Sequence, residues 1–233
     1  MISRDDIPSA RLHASDSSMM GSWQNKHLTD AQRQTLRCEY EHLRSFIVNL
    51  PQEALLVDVG CGDARVLVNV DLGGRRYIGI DIDVQSVQAA REMCEGLVGA
   101  HILEPQDYRD AMRELEPGGP IAALCLGGMF GSFPGDKREH LQALTHRSQA
   151  FFFTVWHKSP QVTHQRVEYY VKNHLDFGVT WHEGSIVSPT WGEDRSWTQE
   201  ELGALCREEL AEFACQIVET PPLAWTVMGY RKG

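Results

Sequence analysis

The sequence predicts an α/β fold: a doubly wound, mostly parallel sheet that ends in an antiparallel hairpin. Three observations carry this prediction. Short apolar runs alternate with helix-periodic segments from residue 54 to residue 155. The first run passes straight into Gly60, Cys61 and Gly62, the sharp turn of a buried strand handing over to a helix. The last two apolar runs flank Pro221 and Pro222, a tight connection that pairs its strands antiparallel.

Residues 1–28 show no sustained periodicity and read as a loosely held arm. Thr29 then caps a helix whose apolar positions Leu36, Tyr40, Leu43, Phe46, Ile47 and Leu50 recur at spacings of three and four, ending at Pro51. Strands follow at 54–59, 77–80, 100–103, 121–126 and 150–155, with helices over 64–70, 84–94, 107–115 and 136–147. A helix over 197–210 and strands at 214–218 and 223–230 complete the chain. Residues 159–197 break the rhythm. There a helix over about 160–175 precedes Val179, Trp181, Trp191 and Trp197 amid Gly, Ser and Pro, a pattern that suits either a cover over the sheet's carboxyl edge or a satellite core. The expected organisation is therefore an arm and lid helix over 1–50 and a sheet domain over 51–233 carrying that insertion.

The 233 residues leave room for one domain with an appendage. With 42% hydrophobic and 23% charged residues a sizeable core is expected. The 32 acidic residues outnumber the 22 basic ones, and the formal charge of −10 disfavours non-specific nucleic-acid binding. The first twenty residues are polar and lack the apolar centre of a secretory signal. No apolar run approaches the ~20 residues needed to cross a bilayer. Cysteines 38, 61, 94, 125, 206 and 215 are scattered singly, as reduced thiols of a cytoplasmic protein are. No His, Cys or acidic cluster has metal-ligand spacing, so no metal is expected.

The segment with chemical content is Val57, Asp58, Val59, Gly60, Cys61, Gly62, Asp63, Ala64, a strand running into D-x-G-x-G. Glycines there let the backbone turn sharply and approach a ligand. A dinucleotide fingerprint needs a third glycine at 65, where Arg65 stands, and the stretch 127–137 does not match a phosphate loop. NAD, FAD and ATP are therefore disfavoured. Asp81 follows Gly62 by nineteen residues and closes the second strand, where a ribose lies. Asp107 and Tyr108 follow the third strand, offering an acid and a ring to an adenine.

These residues resemble the class I S-adenosylmethionine-dependent methyltransferases, and the resemblance runs from about residue 55 to 232. It implies a Rossmann-like domain, S-adenosylmethionine as cofactor and a small-molecule substrate, with no nucleic-acid or membrane partner. By this likeness Asp58 belongs to the acidic start of the cofactor motif and Gly60 and Gly62 line the methionine portion. Asp81 would bind the ribose, Asp107 the adenine amino group, and Tyr108 or Ile82 the ring faces. Leu126 and Gly127 begin the turn after strand four. Ala64 departs from the family, many members of which have a third glycine there. Neither Asp-Pro-Pro-Tyr nor Asn-Pro-Pro-Tyr follows strand four, which sets the sequence apart from nucleic-acid amino-methylating members. The catalytic candidates are His157 as a base and Tyr169 and Tyr170. Trp23, Trp181 and Trp191, with those tyrosines, are candidates for enclosing a cation on the substrate side. His164, His174 and His182 in the insertion are weaker candidates, since Val167, Tyr170, Val171 and His174 share one helix face. The resemblance also allows intramolecular chemistry that expels methylthioadenosine, as in the azetidine-2-carboxylate synthases.

Overall fold

The computed structural model describes residues 28–116, 118–172, 178–182, 184–189 and 192–233. The expected arm, with Trp23, lies outside the described residues, as do His174 and Trp191.

Helix α1, Asp30–Val48, starts where the sequence places it. The Thr29 hydroxyl accepts from the Gln32 N–H, and the Gln32 side chain accepts from the Thr29 N–H in return. Its carboxyl half buries Tyr40, Leu43, Phe46 and Ile47 against the sheet, with the Phe46 ring 5.5 Å from that of Phe152.

The sheet comprises β1 (Leu55–Val59), β2 (Arg76–Ile80), β3 (Ala100–Ile102), β4 (Ile121–Cys125), β5 (Ser148–Trp156), β9 (Phe213–Thr220) and β10 (Ala224–Arg231). The order is β3-β2-β1-β4-β5-β10-β9, parallel except for β10, which runs antiparallel to both neighbours. The chain winds outward from β1 in one direction and from β4 in the other, so the crevice at their carboxyl ends is the switch point where such sheets bind ligands.

Helices cover both faces. One layer takes α1, α2 (Val66–Asn69) and α3 (Val84–Cys94) against Leu56, Leu124 and Phe152. The other takes α4 (Tyr108–Glu114), α5 (Met129–Ser132), α6 (Lys137–Thr145) and α8 (Gln199–Glu209) against Val57, Ala123 and Phe153. Two elements differ from expectation. The helix expected over 64–70 shrinks to one turn, because the left-handed backbone of Ala64 holds the glycine loop open that far. Strand β5 runs longer than 150–155, being zipped to β4 on one side and to β10 on the other up to the pair Trp156 and Ala224.

The insertion holds α7 (Pro160–Lys172) and an antiparallel sheet of its own, formed by β6 (Thr180–His182), β7 (Ser185–Ser188) and β8 (Gly192–Asp194). Its two ends meet: the Trp197 N–H donates to the Trp156 carbonyl (2.9 Å) and the Lys158 N–H to the Trp197 carbonyl (2.8 Å). Trp197 itself belongs to the main core. Inside the insertion the Arg166 guanidinium, fully buried, pairs with Asp194 and donates to Ser196 Oγ (2.6 Å). The Tyr170 hydroxyl reaches the same Asp194 oxygen (3.2 Å). Gly131 of α5 lies so close beneath that a Cβ there would stand 2.5 Å from the Arg195 carbonyl.

No helix among the described residues is long and apolar enough to cross a membrane, and the six cysteines are free thiols. Removing one member of a buried ion pair strands the other charge, at about 3–5 kcal/mol. Asp194→Ala is therefore expected to lower unfolding stability by that amount in urea denaturation. An unchanged midpoint would show that the insertion melts independently of the sheet.

Candidate cofactor and substrate site

The loop after β1 is stitched to β2 by the Gly60 and Cys61 N–H groups, which both donate to the Ile80 carbonyl (2.8 and 3.1 Å). Gly60, Gly62 and Ala64 all hold positive φ, at 70°, 55° and 54°, a conformation that a side chain disfavours. A Cβ on Gly60 would press on Met129 at 3.3 Å, whereas one on Gly62 would meet nothing within 4 Å. The open side of the turn is thus at Gly62. Its N–H donates to Asp81 Oδ2 (2.9 Å), and the Asp83 N–H donates to Oδ1 (2.9 Å). Burial pushes the Asp81 carboxyl up, against the pull of those backbone donors. Beside it Ile82 is 47% exposed, an apolar surface facing solvent.

Asp107 caps α4 through the Arg109 N–H (2.8 Å), and its carboxylate is gripped by the Arg109 guanidinium, which holds it below the usual carboxylate range. Tyr108 turns inward. Its ring stacks on Phe133 at 5.0 Å and its hydroxyl meets His140 Nδ1 at 2.6 Å. His140 Nε2 faces the Pro134 carbonyl at 2.6 Å and must donate to it, so Nδ1 is the acceptor and the tyrosine donates. The structure therefore leaves Ile82, not Tyr108, as the exposed apolar surface next to Asp81.

Asp58 is buried two residues before Gly60. Tyr77 donates its hydroxyl to Oδ2 (2.8 Å), and among the described residues Oδ1 has no partner. Burial first, with the charges of Glu39 and Asp81 adding, pushes this carboxyl up to about 7 despite the tyrosine hydrogen bond.

A second feature lies beyond the switch point. Gly127 and Gly128 turn the chain after β4 at φ 65° and 79°, and half-buried Leu126 leads into them. The Gly127 N–H donates to Glu39 Oε1 (2.8 Å), as does the Thr154 hydroxyl, and the Gly128 N–H reaches Thr154 Oγ1 (3.4 Å). These groups and Trp156 floor a narrow cleft, open at its mouth, roofed by Gln32, Thr35 and Leu36 of α1 and edged by Ala224. Glu39 and Trp156 were not among the residues that the sequence pointed to. A signal existed for the first: Gln32, Thr35 and Glu39 precede Leu43 and Phe46 at spacings of three and four, so the buried stripe of α1 is polar in its first half.

The backbone superposes on magnesium protoporphyrin IX methyltransferase of Synechocystis PCC 6803, solved with S-adenosylmethionine bound. The TM-score is 0.61, with 13% identity over 93% of this chain and 92% of that one. The chain has the S-adenosylmethionine-dependent methyltransferase fold. Similar too are the plantazolicin methyltransferase BpumL with S-adenosylhomocysteine (TM-score 0.60, 13% identity, 85% of each chain) and 1,6-didemethyltoxoflavin-N1-methyltransferase of Burkholderia thailandensis (0.53, 15%, 88% of this chain and 79% of that one). By sequence, 53 residues are 42% identical to an uncharacterized protein of Methanocaldococcus jannaschii. That match covers 22% of this chain and 24% of that protein. No family model matches.

In this methyltransferase fold the glycine turn, Asp81, Ile82 and Asp107 stand along the edge formed by β1, β2 and β3, and Leu126 and Gly127 stand at the end of β4. The other candidates are dispersed. His157 projects to the opposite face of the sheet from Trp156. Its ring packs on Trp225 at 4.4 Å, and burial lowers its pKa. Tyr169 and Tyr170 are buried with Leu28 and Ile186 in the insertion, with Leu36 of the cleft roof packed against them. Trp181 is 57% exposed on β6 and does not line the cleft. Among the described residues no group of His, Cys, Asp and Glu is placed to hold a metal.

Asp58 has its ordinary value of 3.8 when unfolded and about 7 when folded. The folded state thus keeps the proton longer, and its contribution is full below about pH 4 and lost as pH rises through 7. Urea denaturation from pH 4 to pH 7 is expected to show wild type losing up to about 1.4 kcal/mol per pH unit from this group. Asp58→Asn should lack that increment, and equal slopes would refute the assignment.

Proposed function

We propose that the chain binds S-adenosylmethionine at the glycine turn and transfers its methyl group to a small molecule. The observation that carries this is the open space in front of Gly62, bordered by a half-buried Asp81 whose carboxylate is held by the Gly62 and Asp83 N–H groups (2.9 Å each). A carboxylate offers about four lone-pair sites, so Asp81 keeps capacity for a ribose hydroxyl, at roughly 1.5–3 kcal/mol for a charge-assisted bond. Ile82 supplies an apolar face for the adenine, and Asp107 lies on the adjoining strand end for its amino group. Gly60, Gly62, Leu126 and Gly127 would border the methionine portion, with Asp58 ordering the turn from within. When bound, the cofactor supplies an electrophilic methyl on a sulfonium.

The structural neighbours solved with S-adenosylmethionine or its demethylated product support this reading, as does the absence of a Pro-Pro-Tyr motif after β4 for the small-molecule class. Alignment of a nucleophile contributes several kcal/mol on its own, which suits a site whose candidate base, His157, lies off the cleft. Calorimetry is expected to give S-adenosylmethionine binding that Asp81→Ala weakens at least tenfold, and an unchanged dissociation constant would remove Asp81 from the site. Mass spectrometry of products is expected to show S-adenosylhomocysteine only when an acceptor is supplied. Methylthioadenosine formed at many turnovers from the cofactor alone would replace methyl transfer by ring closure. Activity should survive EDTA, and its loss with recovery on magnesium would point to a metal-bound acceptor.

A further inference from the structure

The cleft between α1 and the ends of β4, β5 and β10 is not needed to hold an adenosine, whose candidate residues belong to β1, β2 and β3. On the cofactor reading proposed above, on which this inference rests, the methionine portion runs from β1 to β4 and the acceptor lies beyond it, in the cleft.

We propose that the acceptor presents an amine nitrogen, bound as an ammonium, and that Glu39 Oε2 is the atom that receives it. Glu39 is 2% exposed, yet both of its hydrogen bonds, from Gly127 and Thr154, fall on Oε1. Among the described residues Oε2 has no hydrogen-bond partner, in a side chain that lines the cleft. No Lys, Arg or His lines it with Glu39. The cations nearby are already committed: Arg65 is chelated by Asp63 (2.9 and 3.0 Å), and Arg166, 5.4 Å above the Trp156 ring, is paired with Asp194.

A buried carboxylate with one satisfied oxygen, whose nearest cation, Arg65, is already shared with Asp63, disfavours an anionic guest and gains from a cationic one. Burial indeed pushes the Glu39 carboxyl up, while its two donors pull the other way. A hydroxyl acceptor would use Oε2 as well, but it would leave that charge unbalanced.

The test compares wild type and Glu39→Gln, each saturated with S-adenosylhomocysteine and titrated in a calorimeter with propylammonium or with butyrate, of similar size and opposite charge. Glutamine keeps an oxygen for the Gly127 and Thr154 donors, and a thermal melt checks its fold. The expected result is propylammonium binding at least tenfold tighter than butyrate in wild type, loss of that preference in the variant, and S-adenosylhomocysteine affinity within twofold in both. Equal binding of the two probes by loaded wild type overturns the proposal without needing the variant, as does a preference that survives in the variant. A tenfold or greater loss of S-adenosylhomocysteine affinity in the variant would give Glu39 to the cofactor's own ammonium and also overturn it. Wild type that binds no S-adenosylhomocysteine would instead sink the cofactor reading beneath it, a result distinct from equal probe binding at a loaded site.

Discussion

The carboxyl of Glu39 joins the helix that precedes the sheet to two of its central strands, accepting from the backbone of the turn after β4 and from the Thr154 hydroxyl of β5. Hydrogen bonds to a charged group are worth roughly 1.5–3 kcal/mol each, and they offset the penalty of burying an acid. Because α1 is held this way near its middle, its apolar carboxyl half packs down on Leu124 and Phe152 while its polar amino half stands over the switch point. The cleft, its roof and the conformation of Gly127 all follow from that attachment.

Around it the site is built from acids. Glu39, Asp58 and Asp81 lie near enough for their charges to raise the Asp58 carboxyl, and burial raises all three. Backbone N–H groups and hydroxyls, not guanidinium groups, carry most of the compensation there, since Arg65 and Arg109 are each engaged by the aspartate two residues before them. The result is a crevice lined by half-buried and buried acids with little fixed positive charge, which on the proposed reading suits a sulfonium.

Much of the scaffold was legible because periodicity reports which side of an element is buried. The runs 54–59 and 121–126, the glycine turn and the spacing from Gly62 to Asp81 place the strand ends and the turn without long-range information. What periodicity omits is the partner. Glu39 meets Thr154 from 115 positions away and Tyr108 meets His140 from 32, so nothing local distinguishes a ring facing an adenine from one turned into the core. Tyr108 opens α4 and packs into the core on Phe133, and Glu39 shares its buried stripe with Gln32 and Thr35, which read as polar. His157 was drawn toward the site by its place at the strand end, but strand alternation sends it to the other face from Trp156. The small sheet of the insertion was illegible because its strands have three or four residues each, too few to show a period.

The meeting of residues 156–158 with Trp197 has a consequence for how this protein could change. A segment whose two ends are hydrogen-bonded side by side adds nothing to the distance between the elements it joins, and loop-closure entropy grows only slowly with length. The insertion can therefore be lengthened, shortened or exchanged while β5 and α8 stay in register. The condition is that whatever replaces it supplies its own internal pairing, as Arg166 and Asp194 do, and a backbone close enough to sit on Gly131.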